Sequence, residues 1–308
     1  SGEIIGLIPS RRQIDFNNGY VNEWNTKEFV NYVRSKSKNI IIVRDHSGPL
    51  QGISIDDGVE SILEDTKCNF NIIHIDPWKK HSKLQDAIDI TANLILKSCE
   101  INENIFFEIG TEEAIRPYSC EEFKEFLNSL KKKLKNKFNR IKYAVIQTGN
   151  RLEANENVGS FNEEKSIKNI KICREFNLLS KEHNGDYLEI EDIKNRFKMG
   201  LDSINIAPEF GYIETKCILN DIKERSDQKS YEELFQICFQ SRKWEKWIPP
   251  NKVDNYYKNH KNIFIETSCH YLYNRPEVKK IIEVNPNMNY IIKDKLRKKI
   301  KDLLCAVK

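Results

Sequence analysis

The sequence predicts an α/β protein, a TIM-type (β/α)8 barrel with a non-standard closing strand and a helical C-terminal extension. Three observations carry this. Short β-branched apolar runs recur at roughly 25–40-residue spacing, as the strands of βαβ units do. Helical patterns lie between most of them. No GxGxxG or GxxxxGK[ST] fingerprint appears, so nucleotide-binding open sheets lose their usual support.

The candidate strands are EIIGLI (3–8), NIIIV (39–43), FNIIHI (70–75), NIFFEI (104–109), YAVIQT (143–148), NLLSKE (177–182), SINIA (203–207) and NIFIET (262–267). Nearly continuous apolar runs are how strands buried on both faces look. The helical stretches are 26–35, 56–66, 83–100, 119–138, 163–176 and 189–200, the last ending on Gly200 as a C-cap. Strict β-α alternation argues a parallel sheet with outer helices. Eight strands in one run favour a closed barrel. After residue 212 helices dominate, aromatics cluster in WEKWIPPNKVDNYY (244–257), and Pro249-Pro250 breaks the helix there. We expect the main barrel body over 1–215 and the extension over 216–308, with 262–267 as a barrel-closing strand.

Composition narrows the function classes. The chain has 308 residues, 39% hydrophobic and 31% charged, with a formal net charge of +4. The basic runs KKKLKNK (131–137) and KDKLRKKIKD (293–302) fall on helical patterns and read as solvated faces, so no nucleic-acid partner is expected. No apolar run approaches the roughly 20 residues that span a bilayer, and no signal-peptide pattern opens the chain. A cytoplasmic protein without a membrane partner is expected. The eight cysteines form no CxxC, which reads as reduced thiols and excludes a zinc ribbon.

In such a barrel the chemistry sits at the C-terminal strand ends. Here those ends carry Arg11 and Arg12; Arg44, Asp45 and His46; His74 and Asp76; Glu108 and Glu112; Gln147 and Asn150; Glu182, His183 and Asp186; Asn205 and Glu209. Unpaired buried charge is expensive, so core packing does not explain the series. His46, His183 and one of Glu108 or Glu112 have the ligand types for a divalent metal. Neighbouring strand residues face opposite sides, which argues against Asp45 sharing that ion. At a strand terminus the rule weakens, and Asp45 becomes a candidate general acid or base. Arg11, Arg12 and Arg44 are candidates for holding an anionic group. Of His74 and Asp76, one is expected to face the barrel mouth. His81, His260 and His270 lie off strand ends and read as ordinary.

These strand ends resemble the GatZ/KbaZ-type subunit of tagatose-bisphosphate aldolase, within the class II aldolase barrels. RDHSGP is similar to that family's GDHLGP, HIDP to HLDA, EIGTEE to VIGTE, VIQTG to VVQPG and KEHNGDYLE to EAHSTDY. The order and gaps agree through most of 4–215. The resemblance implies a divalent-metal aldolase, most simply Zn2+, acting on a sugar, keto-sugar or sugar phosphate, and associating as a homo-oligomer or with a partner aldolase subunit. It implies Asp45 as the catalytic acid/base, His46 and His183 as metal ligands, and Glu108 or Glu112 near the acidic strand-end positions. We take Glu108 as the third ligand and Glu112 as catalytic, with Gln147, Asn205 and Glu209 beside the three arginines in the substrate-binding set. The chain departs from the pattern in three places. Gln147 stands where the catalytic class has a ligand histidine, Asn184-Gly185-Asp186 replaces a phosphate-binding Gly-Ser loop, and Glu209 adds an acid there. The GatZ type is regarded as a non-catalytic partner of a true aldolase subunit, so a stabilising subunit is the alternative reading. The alignment places 3–8 on the family's second strand. Either the first strand precedes Ser1 or NIFIET fills its place; we expect the second.

Overall fold

The computed structural model describes residues 5–307. Residues 3 and 4 of the first expected strand lie outside that range. Two compact units emerge.

The first unit holds the chain through Gly149, with Phe161–His183 and Met199–Asn205. Its sheet strands are β1 (Gly6–Leu7), β2 (Ile41–Ser47), β3 (Ile72–Ile75), β4 (Phe106–Ile109), β5 (Ile141–Ile146), β8 (Leu179–Glu182) and β9 (Ser203–Ile204), hydrogen-bonded in that order. Every pairing is parallel. The connections carry α1 (Thr26–Lys36), α2 (Val59–Lys67), α3 (Leu84–Ile101), α4 (Cys120–Leu134) and α5 (Glu163–Glu175). Local signals explain the helix starts. Asn25 and Glu28 form a capping box on α1, Ser119 caps α4, and Asn162 caps α5. All four residues of β3 are buried, as expected for a strand covered on both faces. Side chains from β2, β4, β8 and the segment after β9 meet in hydrogen bonds on one face. The sheet is therefore curled, a seven-strand half-barrel.

The eighth strand is corrected. NIFIET belongs to a helix, α10 (Asn262–Ser268), and among the described residues no strand bridges β9 and β1. Every residue from Ile263 to Ser268 is buried, so the helix has no polar face. Its Thr267 and Ser268 hydroxyls satisfy themselves on the Ile263 and Phe264 carbonyls one turn back. A short apolar run of this kind has no periodicity that separates strand from buried helix.

The second unit contains the hairpin β6 (Leu152–Glu153) and β7 (Glu156–Asn157), then α6 (Ile190–Lys198), α7 (Pro208–Glu224), α8 (Gln228–Gln240), α9 (Val253–Asn259), α10, α11 (Pro276–Glu283) and α12 (Met288–Ala306). Its core joins Ile218, Leu234, Phe235, Cys238, Phe264, Ile265 and Cys269. Among the described residues no helix is long and apolar enough to cross a membrane.

Candidate metal centre

Three imidazoles gather on the concave face of the first unit. His46 comes from β2, His74 from β3 and His183 from just beyond β8. Their ring centroids form a near-equilateral triangle, 4.9 Å for His46–His74 and 5.1 Å for each of the other two pairs. Ligand atoms of Asp45, His46, His74 and His183 all lie within 4.8 Å of one another.

Strand β2 reaches this arrangement through an irregularity. Its register against β3 shifts between Arg44 and Ser47, and His46 adopts φ +41°. A left-handed backbone costs a non-glycine residue about 1–3 kcal/mol, and such positions concentrate at functional sites. A bulge also re-aims side chains. That is why neighbours Asp45 and His46 both reach the cluster, against ordinary strand alternation.

Each imidazole is held from outside by one ring nitrogen. His46 Nδ1 lies 2.7 Å from Asp76 Oδ2. His183 Nε2 lies 2.7 Å from Glu108 Oε1. His74 Nε2 lies 3.0 Å from the Gly110 carbonyl, which sets that nitrogen as the N–H. The remaining nitrogens face inward. Glu112 Oε1 stands 2.6 Å from His46 Nε2 and 3.4 Å from His183 Nδ1, and His74 Nδ1 accepts the His46 backbone N–H at 3.3 Å. Outer anchors are themselves anchored. Asp76, wholly buried, also accepts from Gln51, Thr111 and the Trp78 amide. Gly110 sits at φ +110°, where a side chain would be strained, and a Cβ there would lie 3.1 Å from the Val145 carbonyl oxygen.

The electrostatics follow from burial and charge pairing. Burial pushes His183 down, but hydrogen bonds to Glu108 and Glu112 outweigh it and raise its pKa to about 9. His46 is likewise opposed by burial, yet Asp45 and Glu112 raise it well above the ordinary histidine range. His74 goes the other way: burial lowers it to about 4, so it is neutral. Burial pushes Glu112 and Glu108 up, but His46 holds Glu112, and Lys181 holds Glu108, well below the usual carboxylate range.

This donor set fits a divalent metal. Three imidazoles with adjacent carboxylates are the ligand types of zinc and related ions. A ligating histidine ordinarily gives its other nitrogen to a carboxylate or backbone carbonyl, and all three here do so.

The structure sorts the expected site residues. Asp45, His46, Glu112, His183 and Asn205 come together, with Asn205 Nδ2 donating to Asp45 Oδ1 at 3.2 Å. Glu108 is beside them, but its two oxygens face His183 and Lys181, so it is an outer anchor in place of the expected ligand. Arg44 and Arg11 are corrected. Arg44 is wholly buried, bidentate on Asp65 of α2, and donates to the Pro9 and Ile14 carbonyls. Arg11 is wholly buried between Asp15 and Asp56. Neither guanidinium is available to an external anion. Gln147 is corrected too: its amide holds the backbone at Thr111, Arg116 and Tyr118. Arg12 is exposed, close enough to Lys79 to lower that lysine's pKa, after burial. Glu209, in the second unit, accepts from the Tyr187 amide and pairs with Lys299. His74, Asp76 and Lys181 complete the cluster without having been assigned roles from sequence. The signal for the first two was the i, i+2 pair in HID.

No family model and no curated protein matches the sequence. Solved structures share its fold. A probable tagatose 6 phosphate kinase from Sinorhizobium meliloti 1021 superposes with a TM-score of 0.76 at 14% identity, covering 99% of this chain and 94% of that one. The fructuronate-tagaturonate epimerase UxaE from Cohnella laeviribosi gives 0.64 at 10% identity, over 99% and 81%. Fructose-bisphosphate aldolase from Campylobacter jejuni gives 0.52 at 15% identity, over 94% and 82%.

Proposed function

We propose that the chain is a divalent-metal lyase of the aldolase type, acting on a sugar phosphate or related keto-sugar, on the curled parallel half-barrel of the first unit. The carrying observation is the triangle of three imidazoles, each anchored from outside through one ring nitrogen, with ligand atoms of all three and of Asp45 within 4.8 Å of one another. The solved aldolases and sugar epimerase that share the fold support the substrate class.

His46, His74 and His183 would hold the cation, with Glu112 beside them and Zn2+ the simplest occupant. When bound, the ion supplies Lewis-acid polarisation of a substrate carbonyl. Asp45 accepts or returns the substrate proton, held at Oδ1 by the Asn205 amide so that its other oxygen is left for the substrate. Asp76, Gly110 and Glu108 keep the imidazoles oriented. Arg12, exposed and close to Lys79, is a cation that an anionic substrate group could meet.

Epimerisation beside a keto-sugar carbonyl and carbon–carbon cleavage both generate an enolate and both need a proton-transfer group, so one screen tests both chemistries. Metal-reconstituted protein is assayed against keto-sugars, uronates and their phosphates for carbon–carbon cleavage and for epimer formation. The reading expects metal-dependent turnover lost in Asp45→Asn. Turnover that survives chelation and Asp45→Asn would contradict it.

A further inference from the structure

Lys181 has no assigned role, yet its ammonium contacts the cluster directly through Glu108. It lies on β8, two positions before His183, and is 4% exposed. Its Nζ stands 2.5 Å from Glu108 Oε2 and 5.7 Å from the Tyr143 ring centroid. The other oxygen of the same carboxylate, Oε1, stands 2.7 Å from His183 Nε2. Glu108 is wholly buried. It lies on β4, two strand spacings from β8.

We propose that Lys181 is a positioning residue of the metal centre, acting through Glu108 to hold His183 with Nδ1 directed inward. A carboxylate with one oxygen paired can rotate about its terminal torsion, which is broad. With both oxygens paired it cannot rotate without breaking a charge-assisted hydrogen bond. Lys181 pins Oε2, so Oε1 stays on His183 Nε2 and fixes which ring nitrogen faces the centre. Lys181 also supplies the counter-charge that lets an ionised Glu108 remain in a wholly buried place, since an unpaired buried charge is strongly disfavoured. The chain has the residues for a simpler arrangement, a neutral acceptor such as the Gly110 carbonyl that serves His74. It uses a buried ion pair at His183 instead.

The inference rests on the metal-centre reading, and the test separates the two. Co2+ and Zn2+ affinities and the visible spectrum of the Co2+ form are measured for wild type, Lys181→Met, Glu108→Gln and the double variant, with thermal melts alongside. Lys181→Met is expected to weaken Co2+ binding about 10–100-fold, the range seen for loss of an outer partner, and to shift the Co2+ bands. In the Glu108→Gln background, Lys181→Met is expected to change affinity less than about twofold, because its route to the centre is already cut. Wild-type affinity and spectrum in Lys181→Met would overturn the role while leaving the metal centre standing. So would losses that add in the double variant. If Lys181→Met does not fold, the comparison of Glu108→Gln with the double variant decides, and a tenfold gap between those two overturns the role. Wild-type protein that binds neither ion removes the metal reading and this role with it.

Discussion

Asn205 Nδ2 donates to Asp45 Oδ1 at 3.2 Å, although β2 and the strand preceding Asn205, β9, are five spacings apart in the sheet. In a flat sheet, five spacings of about 4.8 Å put such strands roughly 24 Å apart. The hydrogen bond is thus a direct measure of how far the sheet curls. It also fixes the orientation of the candidate proton-transfer group from the far end of the chain's strand order.

Removing that amide tests its role. A hydrogen bond to a charged group contributes about 1.5–3 kcal/mol, and Asn205→Ala is expected to lower kcat about 10–100-fold. KM and metal affinity are expected to hold near wild type. Steady-state kinetics on the substrate found by screening check this, and a loss confined to KM would show that Asn205 binds substrate instead.

The pH dependence of metal binding follows from His183. In the metal-free protein its pKa is raised to about 9, so it is protonated at neutral pH and gives up a proton when a cation binds. Zn2+ or Co2+ affinity is expected to rise with pH between 6 and 9, the raised His46 adding to the slope. Calorimetry in buffers of different ionisation enthalpy reads the released proton. Affinity that is flat from pH 6 to 9 would contradict the placement of His183 in the centre.

The same shift makes a statement about stability with the opposite trend. His183 is raised from an unfolded value near 6.5, so its stabilising contribution to the metal-free protein is complete below about pH 6.5. It is lost as pH rises through about 9. Urea unfolding of chelator-treated protein is expected to show falling stability across that window, and His183→Gln is expected to remove that part of the slope.

Arg44 and Asp65 give a prediction without consequence for the site. Breaking one side of a wholly buried ion pair costs about 3–5 kcal/mol, and both partners are 0% exposed. Asp65→Asn is expected to lower unfolding free energy by an amount in that range in urea titrations while Co2+ affinity stays unchanged. A normal unfolding curve with weakened substrate binding would restore Arg44 to the substrate-binding set.

Much of this was legible in the sequence, and the gaps have physical reasons. Helix spans were readable because caps such as Asn25, Ser119 and Asn162 leave a local signature. Asp45, His46, Glu112 and His183 stood out in the sequence as polar residues ending apolar strands, and the structure brings them together. Arg44 was misread because a charged residue looks exposed until its partner, twenty-one positions on, is placed against it. His74 was left open because β3 is buried on both faces, so no alternation marks which side turns inward. The bulge that turns His46 toward the same centre as Asp45 has no sequence signature at all; it appears only as a register shift and a positive φ. NIFIET was read as a strand because β-branched and aromatic residues fill a buried helix as readily as a strand.

The central claim is that His46, His74 and His183 together hold one cation. Zn2+ titration of chelator-stripped protein by calorimetry, run beside His46→Ala, His74→Ala and His183→Ala, tests it most directly. The account predicts one equivalent bound per chain, with each variant weakened by more than the roughly 10–100-fold that loss of an outer partner costs. Absence of binding in the wild type, or wild-type affinity in His74→Ala, would contradict it.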